Sequence, residues 1–310
     1  MSDPCMLCPS SCGADRVNGR TGYCKETATV RVARISLHMW EEPCISGKNG
    51  SGTIFFSGCP LRCVFCQNKQ IALGEKGTAL TTDELCDAIL LLQEKKAENI
   101  NLVTPTHFVS QIVKAIEIAK AKGLTIPIVY NTSSYECVET IKMLDGLVDI
   151  YLPDLKYQSE QLSQCYSNAP NYFTYAASAI EEMVRQTGKP VFEGNLMKRG
   201  TIVRHLILPN HTTDSINIMR YLYEKYQDDI FISILNQYTP PAEFAQQGFD
   251  KLTRKITKRE YEKVIDAALA LGVTNAYIQE GETADESFIP DFDDGVFLKE
   301  ILEKRELMTC

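Results

Sequence analysis

From residue 53 onward, short apolar runs alternate with longer amphipathic stretches. The runs at 53–56, 99–103, 126–131, 148–152, 200–208 and 229–235 are too short for helices and read as buried strands, with 275–279 as a last short one. Between them, 85–98, 108–123, 135–146, 171–188, 213–226 and 258–272 carry apolar residues at helical spacing. Thr81 and Glu84 form a capping box ahead of the first of these, and Gly123 is a stop signal for the second. Six strand–helix repeats imply parallel strands joined by helical crossovers. An open doubly wound sheet and a barrel both fit. In either, the loops at the C-terminal ends of the strands carry the site. Residues 1–50 are rich in Cys, Gly and Ser, show little periodicity and read as a loop-rich module. The segment from 285 reads as a covering helix with a frayed end.

Charge and hydropathy exclude two classes of partner. The chain is acidic, with formal charge −8 and no basic tract, which argues against a nucleic-acid backbone as ligand. No uncharged apolar stretch approaches the roughly 20 residues of a membrane-spanning helix. The first residues lack the apolar core of a signal peptide, so a cytoplasmic protein with reduced thiols is expected. Twelve cysteines are many for such a protein. Seven fall in two tight groups, and clustering in a reducing compartment favours metal over disulfides.

One group, Cys59, Cys63 and Cys66, is spaced C-x3-C-x2-C directly after the strand at 53–56, in the first strand–helix loop. A cubane iron–sulfur cluster normally takes four thiolates. Three leave one iron open, as catalysis requires. A zinc site or scattered core thiols are the alternatives. The other group, Cys5, Cys8, Cys12 and Cys24, has the four thiols of a closed zinc site or of an auxiliary iron–sulfur cluster. Gly13, Gly19 and Gly22 allow its tight turns. Cys44, Cys86, Cys137, Cys165 and Cys310 share no pattern, although Cys44 lies near the module in sequence. Glu41 and Glu42 read as a solvated face, and no phosphate loop or Ser-His-Asp set stands out.

The stretch Cys59-Pro-Leu-Arg-Cys63-Val-Phe-Cys66-Gln-Asn68 resembles the radical SAM signature. FFSGCPLRCVFCQN is similar to the activases of glycyl-radical enzymes, the pyruvate formate-lyase-activating type. WEEPCISG followed by GSGTIFFSGC resembles an uncharacterised branch of activase-like proteins. The likeness to the superfamily core covers about residues 50 to 240. It implies a partial (β/α)6 TIM-like barrel over 51–284, between a Cys-rich metal-binding module at 1–50 and an extension at 285–310. It implies a [4Fe–4S] cluster on Cys59, Cys63 and Cys66, with S-adenosylmethionine on the open iron. Reductive cleavage would release a 5′-deoxyadenosyl radical that abstracts hydrogen. By resemblance the target is a backbone glycine of a partner glycyl-radical enzyme. Another peptide or a small molecule is the alternative, and a noncatalytic iron–sulfur electron carrier is the rival class. A flavodoxin or ferredoxin would supply the electron.

The resemblance also distributes cofactor contacts over the strand ends. Phe65 would lie near the adenine. Thr104, Thr106 and His107 stand where many relatives carry a Gly-Gly-Glu-like segment. Asn131 stands where the activases carry Asp-Thr-Asn-Gly, so a cation site of the family type loses its charge here. Asp154 and Lys156 match the family's Asp-x-Lys. Arg204 matches an arginine that reaches the cofactor, whereas His205 points the other way by strand alternation and reads as structural. Asn236 opens the polar stretch after the sixth strand and would contact the adenosine.

Overall fold

The computed structural model describes residues 4–279 and 296–309. Its elements are β1 (Val30–His38), α1 (Pro43–Ser46), β2 (Ser51–Phe56), α2 (Lys69–Ala72), β3 (Thr78–Leu80), α3 (Thr82–Glu94), β4 (Ile100–Val103) and α4 (Val109–Ala121). There follow β5 (Ile128–Thr132), α5 (Val138–Lys142), β6 (Ile150–Pro153), α6 (Glu160–Ser167), α7 (Tyr172–Thr187), β7 (Val191–Glu193), β8 (Leu196–Leu206) and α8 (Thr212–Tyr226). The chain closes with β9 (Phe231–Leu235), α9 (Phe244–Gln247), α10 (Lys258–Leu271), β10 (Ala276–Ile278) and α11 (Val296–Thr309).

Strands β2, β4, β5, β6, β8, β9 and β10 run parallel in that spatial order. The fold is a partial TIM-like α/β barrel with a parallel sheet, as the strand–helix alternation and the family likeness together imply. Antiparallel β1 and β3 extend it beyond β2, and β7 pairs back on β8. Alternation along each strand sorts the side chains. Ile54, Phe56, Ile100, Leu102, Ile128 and Tyr130 face the helices and pack with α3 and α4. Val129, Ile150, Leu152 and Ile202 face inward, where Cys44 and Ile45 of α1 pack against them. Cys44 therefore belongs to the barrel interior and not to the N-terminal cysteine group. Thr81 caps α3 with the anticipated box, donating and accepting with Glu84.

One correction concerns the N-terminal 50 residues. Val30–His38 is a full strand of the sheet, paired with both β2 and β3. Val30, Val32 and Ile35 are buried, but the register shifts between Val32 and Arg34. That irregularity breaks the period of two and hides the strand from a pattern search. The expected helix over 135–146 shortens to α5, because Ser134 takes a left-handed φ of 63° and Glu136 turns inward. At the far end, α11 lays Leu298 and Ile301 into the core shared with α3 and β1. Arg305 anchors it through an ion pair with Glu84 and a 2.9 Å hydrogen bond to the Ala79 carbonyl. The expected boundary at 284/285 and Cys310 lie outside the described residues. Among the described residues no helix is long and apolar enough to cross a membrane.

Candidate functional site

The loop after β2 carries Cys59, Cys63 and Cys66 to the C-terminal rim of the sheet, where all three line one cavity of about 260 Å³. Gly58 makes the turn possible. It has φ +80°, and a Cβ there would stand 2.5 Å from the Cys24 carbonyl oxygen. The Leu61 amide donates to the Cys59 sulfur at 3.4 Å. Burial pushes the Cys59 thiol up to about 11 and the Cys66 thiol up to about 12, while Lys156 pulls both downward. Binding of a metal here must therefore displace protons. Among the described residues no three His, Cys, Asp or Glu side chains meet at the spacing of a single bound ion. The thiolates of a multi-iron cluster stand farther apart, because the cluster's own atoms lie between them. Three thiols around one shared space suit that donor set.

The rest of the cavity comes from the strand ends. Phe65, Thr104, Asn131, Asp154, Lys156 and Arg204 all line it. Phe65 is buried edge-on against Tyr157 and Tyr238, with ring centroids 6.5 and 6.0 Å away. Thr104 holds a φ of 57°, a conformation that costs a β-branched residue on the order of 1–2 kcal/mol. Its amide is tied to the Asn131 carbonyl at 2.9 Å. Strained backbone of this kind concentrates at ligand-binding turns.

Lys156, Asp154, Arg204 and Glu41 form a continuous chain of charges. Lys156 Nζ lies 2.7 Å from Asp154 Oδ2, and Arg204 Nε lies 2.8 Å from Asp154 Oδ1. Arg204 Nη1 reaches Glu41 Oε2 at 3.1 Å, and Nη2 donates to Asn131 Oδ1 at 2.7 Å. Burial pushes the Asp154 carboxyl up, but Arg204 and Lys156 pull it further, to below its ordinary value. Burial raises Glu41 despite Arg204. Tyr172 braces the chain from behind, its hydroxyl donating to the Ser133 and Asp154 carbonyls at 2.8 and 2.9 Å.

Three expected contacts are placed elsewhere. Thr106 and His107 sit in a single helical turn, Thr106–Phe108, that carries them under the rim. Thr106 Oγ1 donates to Glu136 at 2.6 Å, and His107 Nε2 meets the Ser57 carbonyl at 2.7 Å. Burial drives the His107 ring down to about 3, so it stays neutral and braces the cysteine loop. Asn236 does not line the cavity, which Gln237, Tyr238 and Thr239 do. His205 is structural, held between the Leu155 carbonyl and Ser215. Glu41 and Glu42 depart most from expectation. Both are largely inside the barrel, with Glu42 only 7% exposed. No local pattern signals this, because their burial is compensated by Arg204, far along the chain.

The N-terminal cysteines pack against the same rim. Cys8 and Cys24 are buried, Cys5 is half-buried and Cys12 is exposed. A Cβ at Gly22 would lie 3.2 Å from the Cys12 sulfur and 3.4 Å from the Cys24 sulfur, so a side chain there would crowd both thiols. Arg16 ties the module down, donating to the carbonyls of Glu26 at 3.1 Å, His107 at 2.6 Å and Thr27 at 2.5 Å. Thr140 Oγ1 donates to the Leu7 carbonyl at 2.8 Å. Burial pushes the Cys8 thiol up to about 12.

Glu136, next to this module, is fully buried and accepts from Thr106, Thr132 and Tyr130 on one oxygen, while Oε2 has no partner. Burial raises its carboxyl to about 7. Between its ordinary value of 4.5 and about 7 the unfolded chain releases this proton and the folded protein keeps it. Stability of the metal-free protein therefore falls as pH rises through that window, by about 1.4 kcal/mol per unit. Urea unfolding at pH 5 and pH 7 reads the slope. Glu136→Gln is expected to flatten it, and an unchanged slope would assign the dependence to other groups.

Comparison with known proteins follows from this geometry. The family model for the radical SAM superfamily matches residues 53–222. An uncharacterised protein of Methanocaldococcus jannaschii is 27% identical over 274 residues, covering 85% of this chain and 74% of that protein. A maturase of the [FeFe]-hydrogenase, HydG, superposes with a TM-score of 0.49 at 14% identity, covering 72% of this chain. This chain spans only 50% of that maturase. A domain of a pyruvate-formate lyase-activating enzyme from Bacteroides vulgatus gives a TM-score of 0.40 at 12% identity, over 56% of this chain and 91% of the domain.

Proposed function

Because the chain belongs to the radical SAM superfamily, a superfamily of enzymes that use a [4Fe–4S] cluster and S-adenosylmethionine for radical chemistry, we propose that Cys59, Cys63 and Cys66 hold the cluster and that S-adenosylmethionine fills the adjoining cavity. The observation that carries this reading is the convergence of three thiols and the Lys156–Asp154–Arg204 chain on one space. When bound, the pair supplies a 5′-deoxyadenosyl radical for hydrogen abstraction. The protein's own groups position it. Phe65 offers a ring face or edge to the adenine, and Asp154 with Lys156 pairs both signs of charge for the ribose and the amino-acid end. Thr104 and Asn131 offer polar groups at neighbouring strand ends.

The substrate reading follows the likeness of FFSGCPLRCVFCQN to the activases: a backbone glycine of a partner glycyl-radical enzyme, or another peptide or small molecule. A flavodoxin or ferredoxin in the cytoplasm would deliver the electron. The test is anaerobic. With the cluster reconstituted, S-adenosylmethionine and a strong reductant should give 5′-deoxyadenosine by mass spectrometry, alone or once a candidate partner is added. No product with any partner, from a reduced cluster with bound S-adenosylmethionine, would sink the catalytic reading.

Cys5, Cys8, Cys12 and Cys24 hold either zinc or a second iron–sulfur cluster in this reading, and zinc would require their sulfurs to draw together from the positions described here. Cys8→Ala should lower the metal content by one zinc or one cluster and leave the spectrum of the Cys59 cluster intact. Elemental analysis and visible absorption distinguish the two metals. A metal content equal to that of the unaltered protein would remove this group from the list of ligands.

A further inference from the structure

A further cavity, of about 280 Å³, adjoins the first at Arg204 and Glu41 and reaches the exposed side chains of Trp40 and Ile278 at the β10 edge of the sheet. It shares His38, Glu41, Gln67, Arg204, Leu235 and Gln237 with the first cavity, so the two are contiguous. No cysteine lines it. The strand registers explain its walls. Arg204 pairs with Ser233, and Ser233 pairs with Tyr277, so the three side chains stand in one inward-facing row across β8, β9 and β10. The chain between β1 and α1 runs under that row and adds Glu41 and Glu42.

The chemistry of this space is one-sided. Among the described residues Arg204 is its only lysine or arginine side chain, and burial lowers the pKa of the His38 ring beside it. All three guanidinium nitrogens of Arg204 are engaged, with Asp154, Glu41 and Asn131. Glu42 is more than nine-tenths buried, lines the cavity, and its Oε2 has no hydrogen-bond partner. Burial pushes the Glu42 carboxyl above its ordinary value despite Arg204, so this oxygen is completed either by a proton or by a donor from outside the chain. Neutral donors such as Ser233, Tyr277 and Gln237 line the space, but Glu42 Oε2 is left without one, and no free positive charge among the described residues faces it.

We propose that this cavity receives a cationic nitrogen group of the substrate, an ammonium or a guanidinium, held by Glu42 with Glu41 beside it. The inference rests on the radical SAM reading of the neighbouring cavity, and it deepens that reading by assigning the substrate class: a peptide or small molecule with a positive nitrogen anchored beside the cofactor. Arg204 forms the shared wall, so a group held at Glu42 places the carbons next to it toward the cofactor space. Neutral analogues of the same shape can donate to Glu42 but bring no countercharge to the buried carboxylates, and are discriminated against on that ground.

The experiment uses the protein with its cluster reconstituted, under anaerobic conditions and with S-adenosylmethionine present, at constant ionic strength. Binding of butylammonium, butylguanidinium and neutral N-butylurea is followed by ligand-observed NMR. At least one of the two cations should bind saturably, and at least about tenfold more tightly than N-butylurea, a difference of about 1.4 kcal/mol. Which cation wins distinguishes an ammonium from a guanidinium substrate. Glu42→Gln should weaken the cation about tenfold and leave N-butylurea unaffected. Should Glu42→Gln fail to fold, Ser233→Val, which adds bulk to the same cavity from β9, should also expel the cation. Equal cation binding by the unaltered protein and either folded variant overturns the inference, as does absence of cation binding where S-adenosylmethionine binds. Failure of S-adenosylmethionine itself to bind to the intact cluster overturns the underlying reading instead.

Discussion

Cys63→Ala is expected to lose the catalytic cluster and, with it, all cleavage of S-adenosylmethionine. Cys63 is one of three thiols on the shared cavity, and Cys59 and Cys66 flank it within the same loop. A cluster already one thiolate short of the usual four has no ligand to spare. The loss should be of the whole cluster and not a partial weakening, and turnover should fall by at least about a thousandfold, as when one member of a unit-acting set is removed. Iron and sulfide analysis, visible absorption and 5′-deoxyadenosine yield check it together. Cys165→Ala is the control, because that thiol is exposed and lies outside both cysteine groups. It should keep full iron content and full cleavage. Cleavage retained in the Cys63 variant would sink the assignment of this loop as the cluster site.

The loop was legible because its ligands are consecutive in sequence and local spacing determines their geometry. The parallel strands were legible for a related reason: each is built around a short apolar run, with Ile150–Pro153, buried throughout, as the clearest case. What was hidden depends on contacts between distant segments. Val30–His38 was missed because its alternation changes phase at the irregularity by Arg34. Thr106 and His107 follow directly on β4, which made them attractive cofactor contacts. One helical turn after Thr104 is enough to carry them beneath the rim, onto Glu136 and the Ser57 carbonyl. Past β9 it is Gln237, next in sequence to Asn236, that lines the cavity. Glu41 and Glu42 were hidden most deeply. Adjacent glutamates are ordinarily solvated, and their burial is compensated by Arg204, which lies more than 160 positions away in the chain.

That compensation predicts what the loss of Arg204 does. Arg204→Met should destabilise the folded protein by about 3–5 kcal/mol, because it strands two carboxylates that were buried against a guanidinium. Asp154 would retain Lys156, but Glu41 would keep only the amides of Asn101 and Asn131, at 3.2 and 3.4 Å. Lysine is not a remedy. The fork of Arg204 reaches Asp154, Glu41 and Asn131 from three different nitrogens, and a single ammonium cannot occupy those three directions. Arg204→Lys should therefore recover only part of the loss. Acid should recover more. Glu41 already holds its proton above the ordinary carboxylate value, and removing the guanidinium raises it further. A raised folded-state value means that the penalty is absent when Glu41 is protonated in both states and grows as pH climbs through the folded-state value. The deficit of Arg204→Met should thus shrink toward pH 4 and be widest above neutrality. Adding Glu41→Gln should narrow it at pH 7 and flatten its pH dependence, a coupling measurable as a double-mutant cycle in urea. Equal deficits at pH 4 and pH 8, unchanged by Glu41→Gln, would mean that Arg204 stabilises through packing alone and that the charge chain beneath the cavity carries no energy.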